Sequence, residues 1–225
     1  MGRRKQKAMK IIEPSYTIVR PCALDAVARK DALHAVADAA RTCYKSTGTD
    51  DATLVMQLVR SGHEAMLEHY GLTVRFVVDR GVSHEIVRHR MASYAQESTR
   101  YCNYGNAKFG NDITFVQPEA FEGGSARYEI WRDACEAAEW AYFALRKDGA
   151  TPELARDILP MSLKTELVMT ANLREWRHFL ALRAAGTTGK PHPQIRQVAA
   201  PLLRELAAWL PEVFGDLLEA MDGET

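Results

Sequence analysis

Leu72-Thr73-Val74-Arg75-Phe76-Val77-Val78 stands between Gly71 and the polar pair Asp79-Arg80, and its β-branched and aromatic residues predict a strand. Long stretches on either side carry helical patterns, so the expected fold is α+β, a small antiparallel sheet packed with a larger helical part. Upstream, a strand candidate at Tyr16 to Arg20 precedes a helical pattern from about Asp25 to Tyr44. Asp51-Ala52-Thr53 is suited to cap a second helix through Arg60, and Gly62 stops it. Residues 1–12 read as a flexible arm. Downstream, a short helix is expected from Ser83 to His89, a long ordered loop from Met91 to Asn111 and a strand from Ile113 to Val116. Ser125 to Arg146 predicts a long helix, and Thr151-Pro152-Glu153 has the cap, first-turn proline and acid of another that Pro160 ends. The pattern is then mainly helical from Lys164 to about Ala185 and from Pro193 to Leu218, interrupted by Pro211. No repeat or linker divides residues 1–225, so one domain is expected.

The composition narrows the function. Lys+Arg 29 against Asp+Glu 29 gives no net charge, which weighs against a generic polyanion binder and makes any basic site local. The basic run Arg3 to Lys10 lacks the apolar stretch of a secretory signal, and no segment is apolar enough to span a bilayer, so a cytoplasmic protein without a membrane partner is expected. Cys22, Cys43, Cys102 and Cys135 are widely separated and read as reduced thiols, Cys22 as a buried one. His84 and His89 lie five residues apart, about 140° around a helix, so they cannot chelate one metal from a regular helix, and no metal is expected.

The chemistry concentrates in Arg88-His89-Arg90 and the Ser93, Gln96, Ser98, Thr99, Arg100 and Tyr101 that follow. Guanidinium forks grip phosphate bidentately, hydroxyls add donors, and Tyr94 and Tyr101 offer faces on which a ring stacks. Residue by residue, a solvated basic turn explains them as well. As a dense cluster in a long loop, they point to an anion and ring site. A nucleic-acid module would use the same arginines on phosphates and Tyr94, Tyr101 and Tyr104 on bases, and neutral overall charge weighs against it.

A second feature comes from periodicity. On a helical wheel begun at Asn172, Leu173, Trp176, Phe179 and Leu180 fall in one apolar arc, with Arg174, Arg177 and His178 opposite. Arg183 falls inside the apolar arc, where a guanidinium needs an acceptor because an unpaired buried charge is costly, unless an internal salt bridge holds it or it snorkels out at a chain end.

The order Arg88-His89-Arg90-x-x-Ser93-x-x-x-x-Ser98-x-Arg100 resembles the signature of the flavin-dependent thymidylate synthases, with six fixed residues in thirteen positions. The resemblance extends to Gly62-His63-Glu64, Glu68-His69, Asn172-Leu173-Arg174, His178 and Arg183, and covers the chain from Cys43 to about Ala200. It implies conversion of dUMP to dTMP, with methylenetetrahydrofolate as carbon donor and NADPH-reduced FAD as hydride source, in a homotetramer whose sites are shared between subunits. It implies FAD contacts from His63, Arg88, His89, Arg90 and Gln96, completed by Asn172, Arg174 and His178. The dUMP contacts it implies come from Glu85, Arg88, Gln96, Glu97, Ser98, Thr99, Arg100 and Arg156. Arg183 aligns with the arginine that touches the uracil and favours ionisation at N3, and so is the catalytic residue implied. Three positions depart from the family pattern: His178 stands where several members have Asn, and Glu85 where many have Gln, and a carboxylate accepts but does not donate. Ala65 replaces a hydroxyl sometimes found near the flavin.

Overall fold

The computed structural model describes residues 9–45, 47–101, 104 and 112–223. Their order is β1 (Lys10–Ile12), β2 (Ser15–Arg20), α1 (Ala26–Tyr44), α2 (Asp51–Arg60), β3 (Gly71–Asp79), α3 (Arg80–Ile86), β4 (Ala92–Gln96) and β5 (Thr114–Val116). After these come α4 (Ala126–Lys147), α5 (Pro152–Ala155), β6 (Lys164–Asn172), α6 (Leu173–Leu180), α7 (Pro193–Trp209) and α8 (Pro211–Gly223). Short 3₁₀ turns occupy Glu64–His69 and Arg156–Ile158, and a π-helical turn, Ala181–Ala185, extends α6. The fold is α+β, as expected.

Four strands form one sheet in the order β2-β3-β6-β4. The Thr73 and Thr170 hydroxyls meet at 2.9 Å, and at the far end of β3 the Arg80 N–H donates to the Leu163 carbonyl at 3.0 Å, so β3 and β6 run antiparallel. Gly71 is needed where they begin to pair, because a Cβ there would stand 3.1 Å from the Ala171 carbonyl oxygen. A separate parallel pair joins β1 to β5 in the register Lys10 to Thr114 and Ile12 to Val116. Lys10–Ile12, expected within the arm, thus owe their strand to a partner about a hundred residues away; the rest of the arm lies outside the described residues, except Met9, which packs on apolar neighbours.

Five other expectations are corrected. Residues 164–172 form a strand rather than the start of a helix. Thr165, Leu167, Met169 and Ala171 are all buried while their neighbours are not, a period of two that the helix-favouring Glu, Leu, Met and Ala had masked. Residues 92–96, placed in the long loop, form the β4 strand of the sheet; Cys102, Asn103 and residues 105–111 of that loop lie outside the described residues. The helix expected from Ser83 to His89 begins at Arg80 and ends at Ile86, because the Asp79 carboxylate accepts from the Val82 N–H at 2.8 Å and so starts it early. Thr151 caps α5 as read, accepting from a backbone N–H three residues on, and Asp25 and Ser125 do the same for α1 and α4. Asp50, rather than Asp51, caps α2. Cys22 is exposed, not buried.

Two compact units emerge from the contacts of the chain, with boundaries inside β3, β4 and β6. Unit one holds residues 1–14, 77–86 and 96–167, and its core gathers Ile113, Phe115, Tyr142, Ala155 and Leu163 around Cys135. Unit two holds residues 15–76, 87–95 and 168–225. Its centre is an aromatic trio: Trp176 meets Phe179 edge-on at 5.6 Å, and Phe76 lies 6.4 and 6.0 Å from them. The Trp176 indole N–H donates to the Leu72 carbonyl, so the polar tip of this buried ring is satisfied.

Candidate active site

In unit two, α6 and its cap carry three of the expected cofactor residues, Asn172, Arg174 and His178. Asn172 is its N-cap and accepts from the Glu175 N–H at 2.9 Å. Leu173, Trp176, Phe179 and Leu180 are fully buried, and Arg174 and His178 point to solvent, as the wheel predicts. Arg177 is the exception. Only 8% exposed, it donates from both Nη groups to Asp216 at 2.7 and 2.8 Å, from Nε to Glu64 at 2.9 Å, and to the Val213 carbonyl. Burial opposes its charge, and the Asp216 and Glu64 carboxylates more than compensate and raise its pKa. It is a structural cation that ties α6 to α8.

Asn172, Arg174 and His178 line a cleft of ≈ 590 Å³ together with Met91, Ala181 and Leu217. Arg90 and Ser93 line a neighbouring cleft of ≈ 420 Å³, again with Asn172. His63 is exposed and shares a third, of ≈ 360 Å³, with Cys43, Ala65 and Arg174. Arg174 also pairs with Glu68 at 2.7 Å, with both side chains about half exposed, a contact weak enough to exchange for a ligand.

Arg88 and Arg90 are exposed in the turn after α3, and His89 between them is turned inward, 4% exposed. Its ring packs edge-on against Phe179 at 5.0 Å and His178 at 5.4 Å, and the Tyr94 hydroxyl donates to its carbonyl at 2.6 Å. Its Nε2 accepts from Arg183 Nε at 3.2 Å. Nε2 is therefore unprotonated and the proton sits on Nδ1, a tautomer inferred from the bond. Nδ1 lies 3.5 Å from Glu175 Oε1, within ion-pair reach but without a formed hydrogen bond. Burial, then the Arg183 and His178 charges, depress the His89 pKa to about 4. Burial pushes the Glu175 carboxyl up. Arg183, foreseen on the apolar side and in need of an acceptor, thus finds a neutral imidazole. It sits in the π-helical turn, a local widening that recurs at functional sites.

In unit one the second half of the signature is bound into a network of its own. Gln96 donates to the Ser83 hydroxyl at 2.9 Å and to the Thr165 hydroxyl at 3.3 Å. Glu97 accepts from Lys164 Nζ at 3.0 Å and from the Glu166 N–H at 3.2 Å, and Lys164 also bonds Glu166. Burial disfavours the Lys164 cation, yet these carboxylates hold its pKa above the usual range. Ser98 accepts from the Arg100 N–H, and buried Thr99 accepts from Arg156 at 3.0 Å. Arg100 pairs with Glu153 at 3.0 Å with both groups half exposed, and its guanidinium lies 5.4 Å from the Tyr101 ring centre. Ser98, Thr99, Arg100 and Arg156 are thereby drawn together, with hydroxyls and guanidinia concentrated for an oxyanion. Glu85 is half-buried in α3. Glu175, Lys164, Thr165 and Ser83 escaped the sequence reading. The period-two burial of β6 was the signal for Lys164 and Thr165; Glu175 and Ser83 left none.

The comparisons with known proteins agree with the signature. A family model described as "Thymidylate synthase complementing protein" matches residues 26–212. The flavin-dependent thymidylate synthase of Geobacter sulfurreducens is 35% identical over 193 residues, covering 81% of this chain and 80% of its own. That of Thermococcus onnurineus is 40% identical over 168 residues, covering 73% and 66%. A crystal structure of the UMP/dUMP methylase PolB from Streptomyces cacaoi, bound with 5-Br dUMP, superposes with a TM-score of 0.74 at 26% identity over 96% of this chain and 97% of that one. The chain belongs to the flavin-dependent thymidylate synthase family.

Proposed function

We infer that the protein converts dUMP to dTMP, with methylenetetrahydrofolate as the carbon donor and FAD, reduced by NADPH, as the hydride source. The observation that carries this reading is the Arg88 to Arg100 signature in a chain of this family, with Arg156 bonded to its Thr99. The residues present fit a flavin nucleotide: the ≈ 590 Å³ cleft combines the Arg174 cation and the His178 imidazole with the apolar Met91, Ala181 and Leu217, and of its carboxylates Glu64 is held by Arg177, Glu68 pairs with Arg174 and Glu175 is buried. Arg88, Arg90 and Arg174 would hold the pyrophosphate, and Asn172, His178 and His63 would flank the rings and sugar. Reduced FAD, when bound, supplies the hydride that turns the transferred methylene into a methyl group.

The chain's own share is binding and electrostatics. Arg100, Arg156, Ser98 and Thr99 grip the dUMP phosphate and set its orientation, while Gln96, Glu97, Arg88 and Glu85 face the rest of the nucleotide. Glu85 accepts where a glutamine would also donate, so it serves a sugar hydroxyl better than a carbonyl. Arg183 stands beside uracil N3 and its adjoining carbonyl, stabilises the anionic ring and so raises electron density at C5. We place the working enzyme in a homotetramer in which neighbouring subunits complete each site, and in the cytoplasm without nucleic-acid or membrane partners. No described helix is long and apolar enough to cross a membrane. Incubating the FAD-loaded protein with dUMP, methylenetetrahydrofolate and NADPH is expected to yield dTMP. Absence of product under saturating conditions would reject the assignment, and methylation of UMP alone would redirect it.

A further inference from the structure

We propose that His89 is a positioning residue for Arg183: its neutral ring, packed in place with Nδ1 turned toward Glu175, accepts at Nε2 and fixes the Arg183 guanidinium at Nε in the orientation that meets the pyrimidine. The inference rests on the reading of Arg183 above and adds to it His89 as its support, with Glu175, outside the Arg88 to Arg100 signature, beside the ring.

The geometry carries it. Arg183 Nε donates to His89 Nε2 at 3.2 Å, and the opposite ring nitrogen faces Glu175 Oε1 at 3.5 Å. His89 and Glu175 are 4% and 8% exposed, so neither nitrogen is turned to a ligand in solvent. Phe179 and His178 pack on the imidazole ring and Tyr94 holds its carbonyl, which leaves the ring little freedom to rotate. A guanidinium is planar, so engaging Nε sets the direction of its other two nitrogens. The acceptor must be neutral, because an imidazolium has no lone pair to offer and would repel the cation. The charged and titratable groups around His89 are Arg183, His178 and Glu175, with the Tyr94 hydroxyl on its carbonyl. Their balance, dominated by burial and the two basic groups, keeps the ring neutral through the physiological range.

Selective ¹⁵N-histidine NMR of the FAD-loaded wild-type protein at neutral pH tests the network without reference to turnover. His89 is expected as the Nδ1–H tautomer, with its titration moving up toward the ordinary imidazole range in Arg183→Ala. An Nε2–H tautomer, or a titration unaffected by Arg183→Ala, would overturn the proposal. Steady-state assays on flavin-replete variants supply the second arm. His89→Leu is expected to lower kcat/KM for dUMP roughly tenfold to a hundredfold with FAD content preserved, as expected for loss of a bond to a charged group. His89→Gln, whose Oε1 stands near the place of Nε2, is expected to recover most of that loss. His89→Leu combined with Arg183→Ala should be no worse than Arg183→Ala alone. Wild-type kinetics in His89→Leu, or fully multiplicative losses in the double variant, would reject the proposal. If wild type itself makes no dTMP, the functional assignment falls instead, and the NMR result still decides the network.

Discussion

In the proposed function Arg183 is the residue on which the chemistry turns, and on that reading its removal should show as loss of an electrostatic contact made to the reacting ring. Arg183→Ala is expected to lower kcat by about a hundredfold to a thousandfold with FAD content unchanged, measured under saturating dUMP. Arg156→Ala should act differently. It is expected to raise the KM for dUMP at least about tenfold with a smaller change in kcat, since a phosphate contact far from C5 serves ground state and transition state alike. His89 has a consequence for stability as well. Its folded pKa of about 4 lies below the unfolded value of 6.5, so the unfolded chain takes up the proton first as pH falls. Its contribution is complete above about pH 6.5 and is lost as the pH drops toward 4. Glu175 opposes this in part, because a raised carboxyl loses stability as pH rises through its unfolded value. Denaturant unfolding at pH 7 and pH 5 should show wild type losing about 2 kcal/mol more than His89→Gln across that interval. Equal losses would mean that His89 is readily protonated in the fold.

At the scale of the element, α6 and β6 hold the site together. Arg177, read from the wheel as solvent-facing, is the pin between α6 and α8. Arg177→Ala is expected to cost about 3 kcal/mol, read from a lowered denaturation midpoint, because it leaves Glu64 and Asp216 facing each other without a cation. Leu167→Ala, in the middle of β6 and fully buried, is expected to cost about 2 to 5 kcal/mol. A smaller loss would mean that the sheet closes around the gap. These two elements also mark where local reading failed. Lys164–Asn172 has residues that favour a helix, and whether Leu167 and Met169 serve a helical stripe or one face of a strand depends on the strands beside them. The Thr151 cap, by contrast, was legible because its partner, the Leu154 N–H, lies only three residues away.

For the whole molecule, a neutral chain with a local cluster of arginines should bind a nucleotide without general affinity for nucleic acid. Purified protein is expected to bind dUMP in the presence of FAD and to show no strongly salt-dependent affinity for an oligonucleotide. Light scattering is expected to give about four times the 25.2 kDa chain mass.

The sequence by itself determined the family, the signature donors and the demand that Arg183 find an acceptor, because motif order and helical periodicity are properties of neighbours along the chain. It also determined that α6 buries Leu173, Trp176, Phe179 and Leu180. Only the tertiary structure decided that the acceptor is His89, with Glu175 behind it, and that Lys164 secures Glu97. It alone turned residues 92–96 and 164–172 into strands. The physical reason is the same in each case: a strand needs a neighbour for its backbone bonds, and a buried charge needs a partner, and both were supplied by residues tens of positions away that no local pattern identifies.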